Sequence, residues 1–235
     1  MKIDKYLTFA SLLLIGTAAF AQHDTTTKTL HAERPERKHK FGIVLGAGTS
    51  RFNVTNSNWK QGTVNYHDSI NSLTSASVFK FDLGLLYQIK LHPYVSFRPC
   101  LSLSFEGGRI SYHRTTGVET LDALTLSETL SLPFVLKYPG DNFEPYITAG
   151  PGFNFMIAQD DDVRKLLPLK RFDILGELGI GVTLKMPKLK LAIAPEMKYT
   201  AGLLNVKGRS NQLYSNTIDQ LKRQAFTFSL YLLDI

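Results

Sequence analysis

The chain has 235 residues, 43% of them hydrophobic and 20% charged, with a net charge of +7. That length suits one large β domain or two small ones, and after the first 22 residues no apolar run approaches the roughly 18 that a transmembrane helix needs. The single cysteine, Cys100, excludes an internal disulfide, so packing and strand pairing must carry the stability.

The first residues read as a secretion signal. Lys2 and Lys5 give a basic start, "YLTFASLLLIGTAAF" is apolar, and "AFA" at Ala19–Ala21 fits the small-x-small cleavage rule. The expectation is a signal peptide over 1–21, removed before Gln22, in preference to an uncleaved anchor, because the apolar run is short. No cysteine follows the cleavage site, so no lipid anchor is expected. Residues 1–21 hold two Lys and one Asp, so cleavage takes +7 to +6, a mild excess that does not require a nucleic-acid partner.

Residues 22–40, "QHDTTTKTLHAERPERKHK", are almost free of apolar side chains and read as a disordered lead segment. Its evenly spaced His23, His31 and His39 lack cysteine or paired acidic companions, so a solvated tail is favoured over a metal tract.

From Phe41 onward a period of two recurs. In "FKFDLGLLYQIKL", Phe79, Phe81, Leu83, Leu85, Tyr87, Ile89 and Leu91 share one face and Lys80, Asp82 and Lys90 the other. The spacing predicts eight strands near 41–52, 78–91, 95–106, 122–138, 145–158, 171–185, 189–203 and 223–233. Short turns ("HPY", "PGDNFE", "MPK") alternate with long polar connections at 53–77, 107–121, 159–170 and 204–222. These features predict an all-β, eight-stranded antiparallel up-and-down transmembrane β-barrel of the outer-membrane type over 41–235, with both termini periplasmic.

Alternation alone does not say which face meets protein. The predicted strands reach the roughly nine to eleven residues of a membrane-spanning strand. With the apolar face outward, Phe79, Phe81, Phe105, Phe153, Phe155, Phe172, Tyr199, Phe226 and Phe228 gather near the long-connection end. Phe41, Phe97 and Tyr138 then lie near the short-turn end, giving two aromatic belts. The opposite face carries Lys80, Asp82, Lys90, Arg98, Glu106, Lys137, Asp173, Glu177, Lys185, Glu196 and Lys198, of mixed sign and able to pair in a narrow lumen. On a soluble barrel the same residues would be a solvated exterior; the secretion signal and the strand lengths favour lipid outside. Glu128 falls on the lipid-facing register and is expected one step beyond the span, where a charge is cheap. Pro99, Pro133, Pro151 and Pro195 predict local irregularities.

No motif assembles a catalytic site. "HDS" at His67–Ser69 has the residue types of a triad, but neighbours in extended backbone point apart. "DDD" at Asp160–Asp162 lacks the spacing and turn glycine of a calcium loop and reads as a solvated acidic loop. "GELGIG" at Gly176–Gly181 opens no helix, so its glycines, with Gly150 and Gly152, are read as easing tight barrel curvature. Cys100 reads as a small buried residue. No metal, cofactor or small-molecule substrate is expected.

"SLPFVLKY" followed by "PYITAGPGFNFMI" resembles the central hairpin of outer-membrane barrels common in Bacteroidota. "SNTIDQLKRQAFTFSLYL" and "KHKFGIVLG" resemble the PorT family, and the resemblance covers about 39–235. It implies a non-catalytic outer-membrane component associated with type IX secretion and gliding motility, needed for export and maturation of secreted proteins, with protein partners in a secretion complex. A barrel of eight strands leaves room for side chains rather than an aqueous path, so function is expected in its surfaces. The alternatives are a general structural or adhesin-like barrel, or a lipid-modifying enzyme using His67, Asp68, Ser69 or His113.

Overall fold

This computed structural model describes residues 38–56, 70–114, 117–140, 142–209, 215 and 217–234. The expected signal peptide, most of the lead segment and His67–Ser69 lie outside the described residues. Eleven strands run in chain order: β1 (His39–Asn56), β2 (Ile70–Ala76), β3 (Val78–His92), β4 (Val95–Phe97), β5 (Cys100–Arg114), β6 (Gly117–Ser131), β7 (Phe134–Lys137), β8 (Phe143–Gln159), β9 (Phe172–Met186), β10 (Leu191–Gly202) and β11 (Ile218–Asp234). β2 continues into β3, β4 into β5 and β6 into β7, so the eleven segments make eight staves.

Each stave pairs antiparallel with the next. β1 pairs with β3 on one side and with β11 on the other, from Gly42 opposite Leu233 to Asn56 opposite Ile218, and this closes the ring. Closure leaves every stave a neighbour on both sides, which satisfies the backbone without water. The fold is an eight-stranded antiparallel up-and-down barrel of the outer-membrane type.

Burial decides which face is outside. On β3, Lys80, Asp82 and Gln88 are buried, whereas Phe79, Phe81, Leu83 and Leu85 are exposed, Phe79 to 70%. On β9, Asp173 and Glu177 are buried, whereas Leu178 and Ile180 are exposed. A soluble barrel has the reverse arrangement. An outer wall of leucine, isoleucine and phenylalanine far exceeds the few hundred Å² of contiguous apolar surface usual on a soluble monomer, and hydrocarbon is the solvent that suits it. Phe79, Phe81, Phe105, Phe155, Phe172, Tyr199, Phe226 and Phe228 are exposed near the long-connection end, and Phe41, Tyr138 and Phe143 near the short-turn end.

Towards the long-connection end the chemistry of the two faces inverts. On β5 the inward side chains change from Ser102, Ser104 and Glu106 to Ile110 and Tyr112, while the outward ones change from Leu101, Leu103 and Phe105 to Arg109, Ser111 and His113. The neighbouring β6 follows, with Ala123 and Leu121 inside and Asp122 and Thr120 outside. Above the lipid, water is the outer solvent, so the staves revert to the apolar-inside arrangement of a soluble protein. Arg109 forks onto Asp122 across this wet outer face at 2.6 and 2.8 Å.

Residues 107–121, expected as a long polar loop, are therefore mostly strand: β5 runs to Arg114 and β6 starts at Gly117. The connection over 159–170 holds a short helix, α1 (Asp161–Leu166), where "DDD" suggested a solvated acidic loop. Asp160 caps α1, its Oδ1 accepting from the amides of Asp162 and Val163. Pro99 and Pro133 fall in the breaks between β4 and β5 and between β6 and β7. The two breaks face each other, the Arg98 amide donating to the Pro133 carbonyl at 3.0 Å. Pro151 is accommodated within β8 opposite Gly176, and at Pro195 pairing lapses on the β9 side only.

Candidate functional site

Because the outer wall is apolar, the chemistry of this barrel is gathered in its lumen, in three layers. The first lies towards the long-connection end and centres on Glu106 of β5. Glu106 accepts from Lys80 Nζ at 3.1 Å, Arg223 Nη1 at 2.5 Å and Asn154 Nδ2 at 3.0 Å. Lys80 also contacts Asp82 at 2.8 Å, and Arg223 Nε faces Asp173 at 4.0 Å. Below them, Glu177 accepts from Ser131 Oγ at 2.8 Å and faces Lys198 Nζ at 3.9 Å. A cavity of about 30 Å³ opens between Ser50, Lys80, Glu106, Glu177, Lys198 and Arg223, room for a water or two.

Arg98 makes the second layer, just before β5 begins. Its guanidinium donates to Gln88 at 3.0 Å and to Glu196 at 3.1 Å, and lies 4.8 Å from the Tyr146 ring centre and 4.9 Å from that of Tyr231. A cation held between two aromatic faces and a carboxylate keeps its charge without water. Gly179 is needed here: a Cβ would stand 2.4 Å from Thr148 Oγ1 and 2.9 Å from Glu196 Oε1. Gly181 likewise leaves space for the Tyr146 hydroxyl, 2.5 Å from where its Cβ would be. These inward glycines make room for lumen side chains, a local reason beyond the barrel curvature expected of "GELGIG". The third layer, at the short-turn end, is Glu144 between Lys137 at 3.4 Å and Lys185 at 2.9 Å.

Apolar clusters flank these layers. At the long-connection end Phe52, Ile110 and Tyr112 from the wall meet Val163, Leu167, Leu169 and Val206 from the connections, which fold inward over the mouth. Lower down, Val44, Leu86, Cys100, Val135 and Leu233 pack around the second layer. Among the described residues, charged layers and apolar clusters follow one another along the lumen, and a barrel of this strand number has an interior just wide enough for side chains.

All eleven residues named from the sequence occupy the inward register. Lys80, Asp82, Arg98, Glu106, Lys137, Asp173, Glu177 and Glu196 are buried, and Lys90, Lys185 and Lys198 are half-buried. Arg223, Glu144, Asn154, Gln88, Tyr146 and Tyr231 complete the layers and are absent from the sequence-based set. Arg223 opens the strand predicted at 223–233 and Glu144 falls one residue before that predicted at 145–158, each in the inward phase of its strand, with Ala225–Thr227 and Tyr146–Thr148. The neutral four carry no charge to attract notice. Cys100 is buried. His113 faces outward, 3.2 Å from Thr74 Oγ1. Among the described residues no three His, Cys, Asp or Glu side chains are grouped as a metal site.

These features define a class: a transmembrane β-barrel with a buried, ion-paired interior. No family model matches the sequence, and no curated protein matches it. Solved structures that the comparison aligns with this chain include Neisserial surface protein A, 9% identical, with 82% of this chain and 96% of that one covered at a TM-score of 0.41. The outer membrane protein OprG from Pseudomonas aeruginosa is 12% identical, with 82% and 93% covered at 0.40. Ail, the attachment invasion locus protein of Yersinia pestis, is 10% identical, with 84% and 99% covered at 0.37. At such scores the likeness carries no argument about function, and the class rests on the closed ring of strands and its inside-out burial.

Proposed function

We propose that this chain is an integral outer-membrane protein, both termini periplasmic, that works through its surfaces as a non-catalytic accessory of the type IX protein secretion machinery. The observation that supports the surface-based part is the lumen, where ion-paired layers and apolar clusters put side chains in the space a conduit would need. The secretion role rests on the PorT-like segments. These fall on β1 and β11, which pair with each other, so the residues that carry the resemblance form one continuous seam of the barrel. Its partners on this reading are outer-membrane lipid and proteins of a secretion complex, without nucleic acid or a small-molecule substrate.

Deleting the gene tests the role. Type IX cargo should accumulate in the periplasm, and full-length chain supplied in trans should restore export. Normal export and surface maturation in the deletion strain would leave the reading of a general structural or adhesin-like barrel. A His113→Ala variant with an altered lipid profile would favour the lipid-modifying enzyme instead.

A further inference from the structure

The short-turn mouth of the barrel carries an excess of one charge. Lys40 on β1, Lys90 on β3, Lys137 on β7 and Lys185 on β9 occupy the inward register there, with Glu144 on β8 as the one inward carboxylate among the described residues. Lys38, Lys188 and Lys190 stand exposed on the surrounding rim. Asp234 is the one further acidic side chain at this end among the described residues, and its Oδ1 accepts from the Phe41 amide. Even with Asp141 and a C-terminal carboxylate counted from the sequence, these seven lysines meet four carboxylates.

Two features show that the charge is placed with care. Among the described residues, no stave has an outward lysine or arginine at this end; the outward positions hold side chains such as Phe41, Tyr87, Leu91, Phe97 and Tyr138. The cations therefore turn away from the headgroups that surround the wall and converge on the barrel axis. Lys190, in the turn between β9 and β10, has a φ of 52°, the left-handed region that glycine fills without strain. A lysine held there at a cost in backbone strain points to a use for its side chain.

Like charges gathered in a cleft with low-dielectric walls focus their field and draw in counter-charge. Glu144, between Lys137 at 3.4 Å and Lys185 at 2.9 Å, shows the group that this mouth accommodates: a carboxylate between lysines. The interior of an eight-stranded barrel is just wide enough for side chains, so further carboxylates reach it on the side chains of a polypeptide laid across the opening. We propose that the short-turn mouth docks an acidic segment of a second, soluble protein, which sets aspartate or glutamate side chains among Lys90, Lys185, Lys188 and Lys190. Residues 22–37 bring no net negative charge, since Asp24, Glu33 and Glu36 are matched by Lys28, Arg34 and Arg37. A second copy would bring the same lysine-rich rim. In the orientation of the proposed function this partner is periplasmic, but the chemistry of the mouth depends neither on that orientation nor on the secretion role.

The full chain in phosphatidylcholine nanodiscs, titrated into fluorescent decaglutamate with decaglutamine as neutral control, tests the site. Decaglutamate should bind and decaglutamine should not, with affinity falling as salt rises. Lys38→Gln, Lys188→Gln and Lys190→Gly together should weaken binding about tenfold or more. Removing as much charge from the opposite end, by Arg164→Gln, Lys165→Gln and Lys170→Gln, should leave it unchanged. Lys190→Gly alone should raise the urea midpoint while lowering affinity, the opposite signs expected where strain serves binding. In living cells, a photoreactive amino acid at exposed Leu189 should cross-link a discrete protein through a segment rich in aspartate and glutamate. Lys188→Glu with Lys190→Glu should remove that product. Decaglutamine binding as well as decaglutamate, equal losses from substitutions at both ends, or a Lys190→Gly barrel stabilised at no loss of affinity would overturn the proposal. Cross-links from Leu189 to lipid or peptidoglycan only would do so too. Normal export in the deletion strain would remove the secretion role and leave these results untouched.

Discussion

Arg98 is 2% exposed, with its charge enclosed by Tyr146, Tyr231, Gln88 and Glu196. Removing one member of a buried pair strands the other. Arg98→Ala should therefore destabilise the barrel by about 3–5 kcal/mol, read as a lower urea midpoint for unfolding from lipid vesicles. Replacing both partners, Arg98→Met with Glu196→Leu, should recover most of the loss, since no charge is then left unpaired. Above the lipid, the Arg109–Asp122 pair offers a milder case. The hydrogen bond from Arg109 holds the Asp122 carboxyl below its ordinary value of 3.8. A lowered folded-state value contributes stability that is present above 3.8 and lost as pH falls through the folded-state value; at this exposed position the contribution is small. An NMR titration of the barrel in micelles should show Asp122 ionising below the usual aspartate range, with Arg109→Ala returning it. The charged lumen residues were legible in the sequence because each falls in the phase opposite the outward Leu, Ile and Phe stripe of its strand. Tyr146 and Tyr231 were not, because a tyrosine in either phase of a membrane strand looks like a belt residue until its neighbours are known.

At the scale of elements, the staves were readable wherever the outer solvent is lipid and lost where it changes to water. Alternation persists through 107–121, but the apolar phase passes from Leu103 and Phe105 outside to Ile110 and Tyr112 inside. A search for one unbroken apolar stripe stops at that inversion and reports a loop. Helix α1 was missed because three acidic residues suggested a cation or solvent, whereas the first is an N-cap and the third pairs with Lys165 at 3.0 Å. The cap gives a test. Asp160→Ala should cost about 1 kcal/mol and act locally, raising amide exchange at Val163 and Leu167 while strands β3 and β5 keep their protection. Equal loss of protection throughout the barrel would mean that α1 and the wall open as one unit.

For the whole molecule, two kinds of barrier stand in series along the lumen. The apolar cluster of Phe52, Ile110, Tyr112, Val163, Leu167 and Leu169 lies towards the upper mouth, and the ion-paired layers lie beneath it. An ion crossing this path would have to displace Lys80 from Glu106, then Arg98 from Glu196, then Lys185 from Glu144. Each displacement leaves a buried charge uncompensated at the moment the ion passes, a cost of several kcal/mol. The barrel reconstituted in a planar bilayer should therefore show no porin-like conductance steps. Replacing 160–170 with a short Gly-Ser linker should take Val163, Leu167 and Leu169 out of the cap and still give none, because the paired layers remain. Stable steps from the intact chain would mean that the pairs rearrange on a fast timescale, and a role in passing solute would return. Steps appearing only after the cap is removed would assign the seal to the connections rather than to the ions.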